Sequence, residues 1–257
     1  MKKLISIDLK ADFGFFRKPD TNNTVNLSYN IIHKPAILGI FGAIIGLDGY
    51  TQKGKLPHYY EVFRNLKLGV QPLDNEKGNY PKTNIKYSNT IGYANKGANF
   101  LTEEMTLINP KYRIFMLLNL TNEYHKKLLD YLSNAQSEFI PYFGKNEFSA
   151  WWEKSSCKEY SFKEKTEICG SIKIKTIFLK SYVIKENLDI LEPDIFSDKT
   201  KDDLPFMYFE RLPKDFDLEL MQYDLGEFVF STYLIKNANN LKNLYYLNDE
   251  DYYVQLI

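Results

Sequence analysis

The residues of this chain that could carry chemistry are few. There are three histidines, His33, His58 and His125, and two cysteines, Cys157 and Cys169. The run Tyr124-His125-Lys126-Lys127 holds the side chains that handle protons when a 2′-hydroxyl attacks a phosphodiester. Its spacing, however, sets it in the first turns of an amphipathic helix, where exposed polar residues are the rule. His33 and His58 read as loop or capping residues. The cysteines are twelve apart and form no C-x-x-C pair, so no zinc set, cofactor or catalytic residue is expected. Gly39, Gly42 and Gly46 lack the G-x-G-x-x-G order and lie within a helical pattern. They read as small residues that let an apolar helix approach a sheet. A different chemistry is offered by Phe15-Phe-Arg-Lys-Pro, which is followed by an Asn/Thr-rich loop. There Arg17 and Lys18 suit phosphate contacts, which position a nucleic acid without reading its sequence.

Composition sets the bounds. The 257 residues suffice for a substantial core, and 44% are apolar. Aromatic residues reach 16%, with 20 Tyr and 18 Phe, as large core side chains or as stacking platforms for bases. Net charge is zero, which argues against a general nucleic-acid coat protein. Its distribution is uneven. Residues 1–100 hold 14 Lys/Arg against 7 Asp/Glu, and the remainder 19 against 26. That asymmetry points to an anionic partner on the first half and an acidic face for a protein neighbour. The charges Asp8, Lys10 and Asp12 break any signal-peptide core, and no apolar run reaches membrane-spanning length. A cytoplasmic protein with no membrane partner is expected.

The elements that must position these residues follow from periodicity. Leu4–Phe13 alternates strictly, with Ile5, Ile7, Leu9, Ala11 and Phe13 on one face. Residues 20–30 read as a loop, and Pro35 opens an apolar helix that runs to Gly46. A second helix is expected over Tyr59–Leu68. Residues 70–81 are turn-rich. Segments from Ile85 and over Leu101–Leu107 form a long hairpin that is polar on both faces, with its tip at Asn95–Asn99. Lys82, Lys86, Tyr87, Asn89 and Lys96 point outward on it. A ribbon that buries so little usually has a partner. Tyr112–Leu118 is a buried strand. Thr121 caps a helix bearing Tyr124, Leu128, Leu129 and Leu132, and Glu138–Phe143 is the next strand. The remainder is β-rich, over Ser171–Ile184, Phe206–Leu212 and Phe228–Ile235. The fold class is therefore α+β. A ferredoxin-like domain over 1–145 carries an inserted hairpin at about 70–110, and a β-rich elaboration covers 146–257.

Five segments carry a family resemblance in order along the chain. They are Phe15-Phe-Arg-Lys-Pro with Asn22 and Asn23, and His33-Lys-Pro-Ala-Ile-Leu-Gly-Ile-Phe-Gly-Ala-Ile-Ile-Gly. Then come Asn109-Pro-Lys-Tyr-Arg-Ile-Phe, Pro141-Tyr-Phe-Gly-Lys-Asn-Glu-Phe and Phe209-Glu-Arg-Leu-Pro. With them the chain resembles the Cas-five family of CRISPR-associated proteins, and most of all its subtype I-B members. That resemblance implies a RAMP-type ferredoxin-like fold with a thumb hairpin. It also implies a subunit of a type I Cascade complex that caps the 5′ handle of a guide RNA. The implied partners are the guide RNA, a backbone RAMP subunit, a large subunit and, indirectly, target DNA. The thumb would displace a nucleotide at the handle–spacer junction. The RNA contacts expected are Phe16, Arg17, Lys18, Asn22, Tyr29, His33, Lys34, Lys82, Lys86, Tyr87, Asn89, Lys96 and Lys145. The C-terminal Gly-rich loop of many RAMP proteins has no counterpart here beyond Gly226. Some relatives cut precursor RNA without metal, so an endoribonuclease and a structural subunit with protein contacts only remain as alternatives. The chain itself is not expected to be an enzyme.

Overall fold

A computed structural model describes residues 1–19, 24–89, 100–165, 167–180, 192–194 and 205–257. The chain is mixed and mostly β. In order, its first part comprises β1 (Lys2–Ala11), α1 (Lys34–Ile45), α2 (His58–Phe63), β2 (Leu68–Leu73), β3 (Lys82–Asn89), β4 (Phe100–Ile108), β5 (Lys111–Asn119), α3 (Glu123–Asn134), β6 (Ala150–Trp151) and β7 (Lys158–Tyr160). β1 pairs antiparallel with β5, and β5 with β2. The other edge of β1 holds β6 and β7 in turn. The sheet order is thus β6/β7–β1–β5–β2, with the helices following β1 and β5. β3 and β4 form an antiparallel hairpin inserted between β2 and β5. Residues 90–99, the expected tip with Lys96, lie outside the described residues.

The strict alternation of β1 reflects one core face, where Ile5, Ile7, Leu9 and Ala11 join the buried face of α1. Strand β1 ends at Ala11 rather than at Phe13. Phe13 is exposed and belongs to a short strand paired with Ile108. Part of the second face of β1 is covered as well. Ser6 is fully buried, with its hydroxyl 2.9 Å from the Tyr160 hydroxyl. The cover is the C-terminal sheet of β8 (Phe162–Lys165), β11 (Leu244–Leu247) and β12 (Tyr252–Gln255), numbered past the hairpin β9 (Met207–Asp217) and β10 (Gln222–Ser231). Tyr245, Leu247, Val254 and Leu256 bury Leu4, Phe115 and Leu117. The far half of this face carries Asp8, Lys10 and Arg113, each partly exposed.

Several boundaries differ from the sequence expectation, each for a local reason. Two short strands, Val25–Asn26 and Ser28–Tyr29, lie in the segment read as a loop. α2 ends at Phe63, because Leu68 begins a sheet strand. β2 occupies the start of the segment read as turn-rich. Pro72 lies within it, and β2 is the end strand of the sheet order, where a proline is tolerated. The cap of α3 is Asn122, whose side chain accepts from the Tyr124 and His125 amides, rather than Thr121. Residues 138–143 do not form the expected strand. The Glu138 and Phe139 amides instead bond to the Ile44 and Ala43 carbonyls, satisfying the C-terminal end of α1. The edge strands therefore come later, at β6 and β7, beyond the expected boundary at residue 145.

Gly42 does not approach the sheet. A Cβ there would lie 2.4 Å from the Tyr59 Cβ, so it admits α2 against α1. In the C-terminal part, β9 and β10 form a long hairpin against α1. The expected strand Ser171–Ile184 runs partly outside the described residues, and among its described residues only Phe178–Leu179 is a strand. No helix among the described residues is long and apolar enough to cross a membrane.

Candidate nucleic-acid interface

An open groove of about 780 Å³ runs along α1. Its floor is the small-residue face of the helix at Ala36, Gly39 and Ala43. One wall is segment 139–145, and the other is Tyr50, Tyr59 and the Phe216–Tyr223 end of the β9–β10 hairpin. The rim is aromatic, because Tyr50, Phe139 and Tyr142 are all exposed. Tyr59 is half-buried over Gly39 and Gly42. Burial pushes its hydroxyl pKa up, and the hydroxyls of Tyr50, Tyr223 and Tyr142 act in the same direction. Tyr50, Tyr59, Tyr142 and Tyr223 all line this groove.

The head of the groove is where the five segments meet. The Phe16 ring lies 5.5 Å from Phe143, 6.1 Å from His33 and 6.4 Å from Tyr112, and Tyr112 lies 5.8 Å from Phe143. The Phe15 amide donates to the Phe143 carbonyl. Gly144 has φ +83°, and a Cβ there would sit 1.9 Å from the Phe15 carbonyl oxygen, so only glycine fits. The fifth segment supplies Glu210. This buried carboxylate accepts from the Asn30 and Ile31 amides at 2.9 and 3.0 Å. Burial raises its pKa, against those amides and against Lys18, whose ammonium is 3.3 Å away.

Charge in the groove is nearly balanced, with Arg17 and Lys145 facing Glu104 and Asp48. Lys145 is held by Glu104 at 2.7 Å and Glu147 at 3.2 Å, and lies 3.8 Å from the Tyr87 ring centre. That clasp ties β3 to the groove wall. Arg17 is exposed and makes no ion pair among the described residues. His33 is the N-cap of α1, its Nδ1 accepting from the Ala36 amide. Burial lowers its pKa to about 3, so it is neutral. His125 Nδ1 accepts from the Asn119 amide, and its ring stacks on Phe63. No cluster of metal-ligating side chains occurs among the described residues.

Of the expected RNA contacts, Phe16, Arg17, His33 and Lys145 line the groove. Lys18 flanks it as the partner of Glu210, lying over the Tyr29 ring. Tyr29 is buried edge-on against His33. Lys34 turns away and donates to the Ile257 carbonyl. Lys82 bonds to Asn30 and the Tyr80 carbonyl, and Lys86 pairs with Glu103 at 2.9 Å. Asn89 closes β3, while Asn22 and Lys96 lie outside the described residues. Sequence reasoning did not single out Tyr50, Tyr59, Tyr142 or Tyr223. The available signal was the general excess of tyrosine, together with Tyr142 inside a resembling segment.

No family model and no curated protein matches this chain. Solved structures of CRISPR-associated proteins are similar to it in backbone. A chain of a "CRISPR RNA-guided surveillance complex" is 11% identical, covers 90% of this chain and 91% of its own, and has a TM-score of 0.49. A CRISPR protein from Archaeoglobus fulgidus is 14% identical, with coverages of 98% and 97% and a TM-score of 0.48. A chain of the Type III-B Cmr-beta complex bound to cognate target RNA is 12% identical, with coverages of 99% and 99% and a TM-score of 0.46. Identities this low leave the chemistry of the groove to its own residues.

Proposed function

We propose that this chain is a non-catalytic RNA-binding subunit of a CRISPR ribonucleoprotein, holding single-stranded RNA along the α1 groove. The observation that carries this reading is the convergence of four dispersed segments around Phe16, with the fifth fastened beside them through Glu210 on Asn30, Ile31 and Lys18. They close the head of an aromatic groove, where Arg17 is exposed on its lining. Aromatic rims that accept bases, with a cation for the backbone, suit single strands rather than duplexes. The sheet order, with two helices on one face, is read as a ferredoxin-like core, and the β3–β4 insertion as its thumb. By resemblance, the RNA is the 5′ handle of a guide. A backbone RAMP subunit and a large subunit are the protein neighbours, and target DNA is reached only through the complex. The committed state of His33 and His125 supports a binding role over cleavage, because each has its accepting nitrogen engaged by a backbone amide.

Equilibrium binding of single-stranded CRISPR-repeat RNA across a salt series tests this. Arg17→Ala is the informative variant, since Lys18 also serves Glu210. Loss of one phosphate contact lowers the slope of log affinity against log salt by about 0.7 and leaves the fold intact. Absence of RNA binding by the wild-type chain, or an unchanged slope in the variant, contradicts the reading. Site-specific cutting of the same RNA that is abolished by His33→Ala or His125→Ala would make the chain an endoribonuclease instead.

A further inference from the structure

The tyrosine cluster deepens the RNA-binding reading, on which it rests. Tyr50, Tyr59, Tyr142 and Tyr223 all line the groove, with Tyr59 packed over Gly39 and Gly42. Burial raises the pKa of Tyr59 and of Tyr223, so both stay protonated and act as neutral donors and acceptors. The one histidine in the groove is also neutral there, 5.8 Å from the Tyr223 ring. Such a lining has flat apolar faces, neutral hydrogen-bonding groups and almost no net charge. It complements a planar, uncharged, hydrogen-bonding ligand and offers little to a phosphate.

We propose that this cluster is a receptacle for one unpaired nucleobase of the bound RNA. The base stacks on the exposed ring of Tyr142, and its edge is read by the hydroxyls of Tyr59 and Tyr223. Arg17, at the head of the groove, takes the adjoining phosphate. The small residues of α1 at Gly39 and Ala43 leave the depth for the base to enter edge-on. Affinity at this site therefore comes from the base, and salt dependence from Arg17 alone.

The test uses the full chain and fluorescently labelled single-stranded RNA homopolymers of adenylate, uridylate and cytidylate. Each is compared with an abasic oligoribonucleotide of equal length and equal phosphate count. At least one homopolymer is expected to bind tenfold or more tighter than the abasic strand. Tyr142→Ala removes most of that preference without changing the salt slope. Tyr59→Phe, which keeps the ring and loses only the hydroxyl, reduces discrimination among the homopolymers. Equal binding of abasic and base-bearing strands overturns the receptacle while leaving RNA binding in place. So does a preference untouched by both tyrosine variants. Failure of every strand to bind overturns the RNA-binding reading itself.

Discussion

At the scale of single residues, two groups expected to touch RNA also do structural work. Lys18 neutralises Glu210, which fastens the chain at Asn30 and Ile31 just before α1. His33 caps α1 from within a shell of Phe16, Tyr29 and Tyr223 rings. Its capping role was legible from the Pro that follows at the helix start. Its neutrality was not, because those rings arrive from distant parts of the chain. A histidine buried in the neutral form gives a signed pH dependence. Its folded pKa lies at about 3, below the ordinary value of 6.5. Below pH 6.5 the unfolded chain takes up a proton that the folded chain refuses. The His33 contribution is therefore complete above about pH 6.5 and is lost as pH falls toward 3, at about 1.4 kcal/mol per pH unit. Urea unfolding of wild type and His33→Asn between those limits checks this. The variant keeps a capping side chain, starts less stable, and loses less stability on acidification. Equal acid sensitivity in the two proteins would show that His33 titrates normally.

At the scale of elements, the strongest periodic signals were read correctly in kind. The alternating first strand, the Pro-led helix, the polar hairpin and the amphipathic α3 are all present. What the sequence concealed are elements defined by partners rather than by pattern. β2 contains Gly69 and Pro72 and is a strand because β5 lies beside it. Residues 138–143 look strand-like, but the unsatisfied carbonyls at the end of α1 claim their amides. Of the α1 glycines read as packing residues, Gly42 is one, with α2 rather than the sheet as its partner, while Gly46 is the left-handed C-cap of the helix. The geometry separates two of them. A methyl group at Gly42 would collide with Tyr59 at 2.4 Å, whereas at Gly39 the nearest Tyr59 atoms are 3.7 Å away. Gly42→Ala is expected to cost about 1–3 kcal/mol by forcing α2 away from α1. Gly39→Ala is expected to be neutral or to stabilise by up to about 1 kcal/mol through helix propensity. Denaturant midpoints of the two variants decide this, and shifts of the same sign and size would contradict the close α1–α2 contact.

At the scale of the whole molecule, the charge asymmetry between the two halves is partly spent internally. Lys3, Lys10, Lys18, Arg64, Lys67 and Lys86 of the basic half each meet a carboxylate of the acidic half, at Glu159, Glu153, Glu210, Asp215, Glu164 and Glu103. Part of the basic excess in that stretch of sequence is thus engaged in ion pairs across the fold. The candidate site is legible only in outline, because its rings come from α1, α2, segment 139–145 and the β9–β10 hairpin, and no spacing in the chain joins them. The central claim is that RNA lies in this groove. Photocrosslinking with single-stranded RNA carrying 4-thiouridine, followed by mass spectrometry of the linked peptides, measures it directly. The account predicts crosslinks at Tyr50, Phe139 or Tyr142 on the rim, which are lost when unlabelled single strand competes. Crosslinks confined to the open sheet face around Lys10 and Arg113, or to the C-terminal sheet, would contradict it.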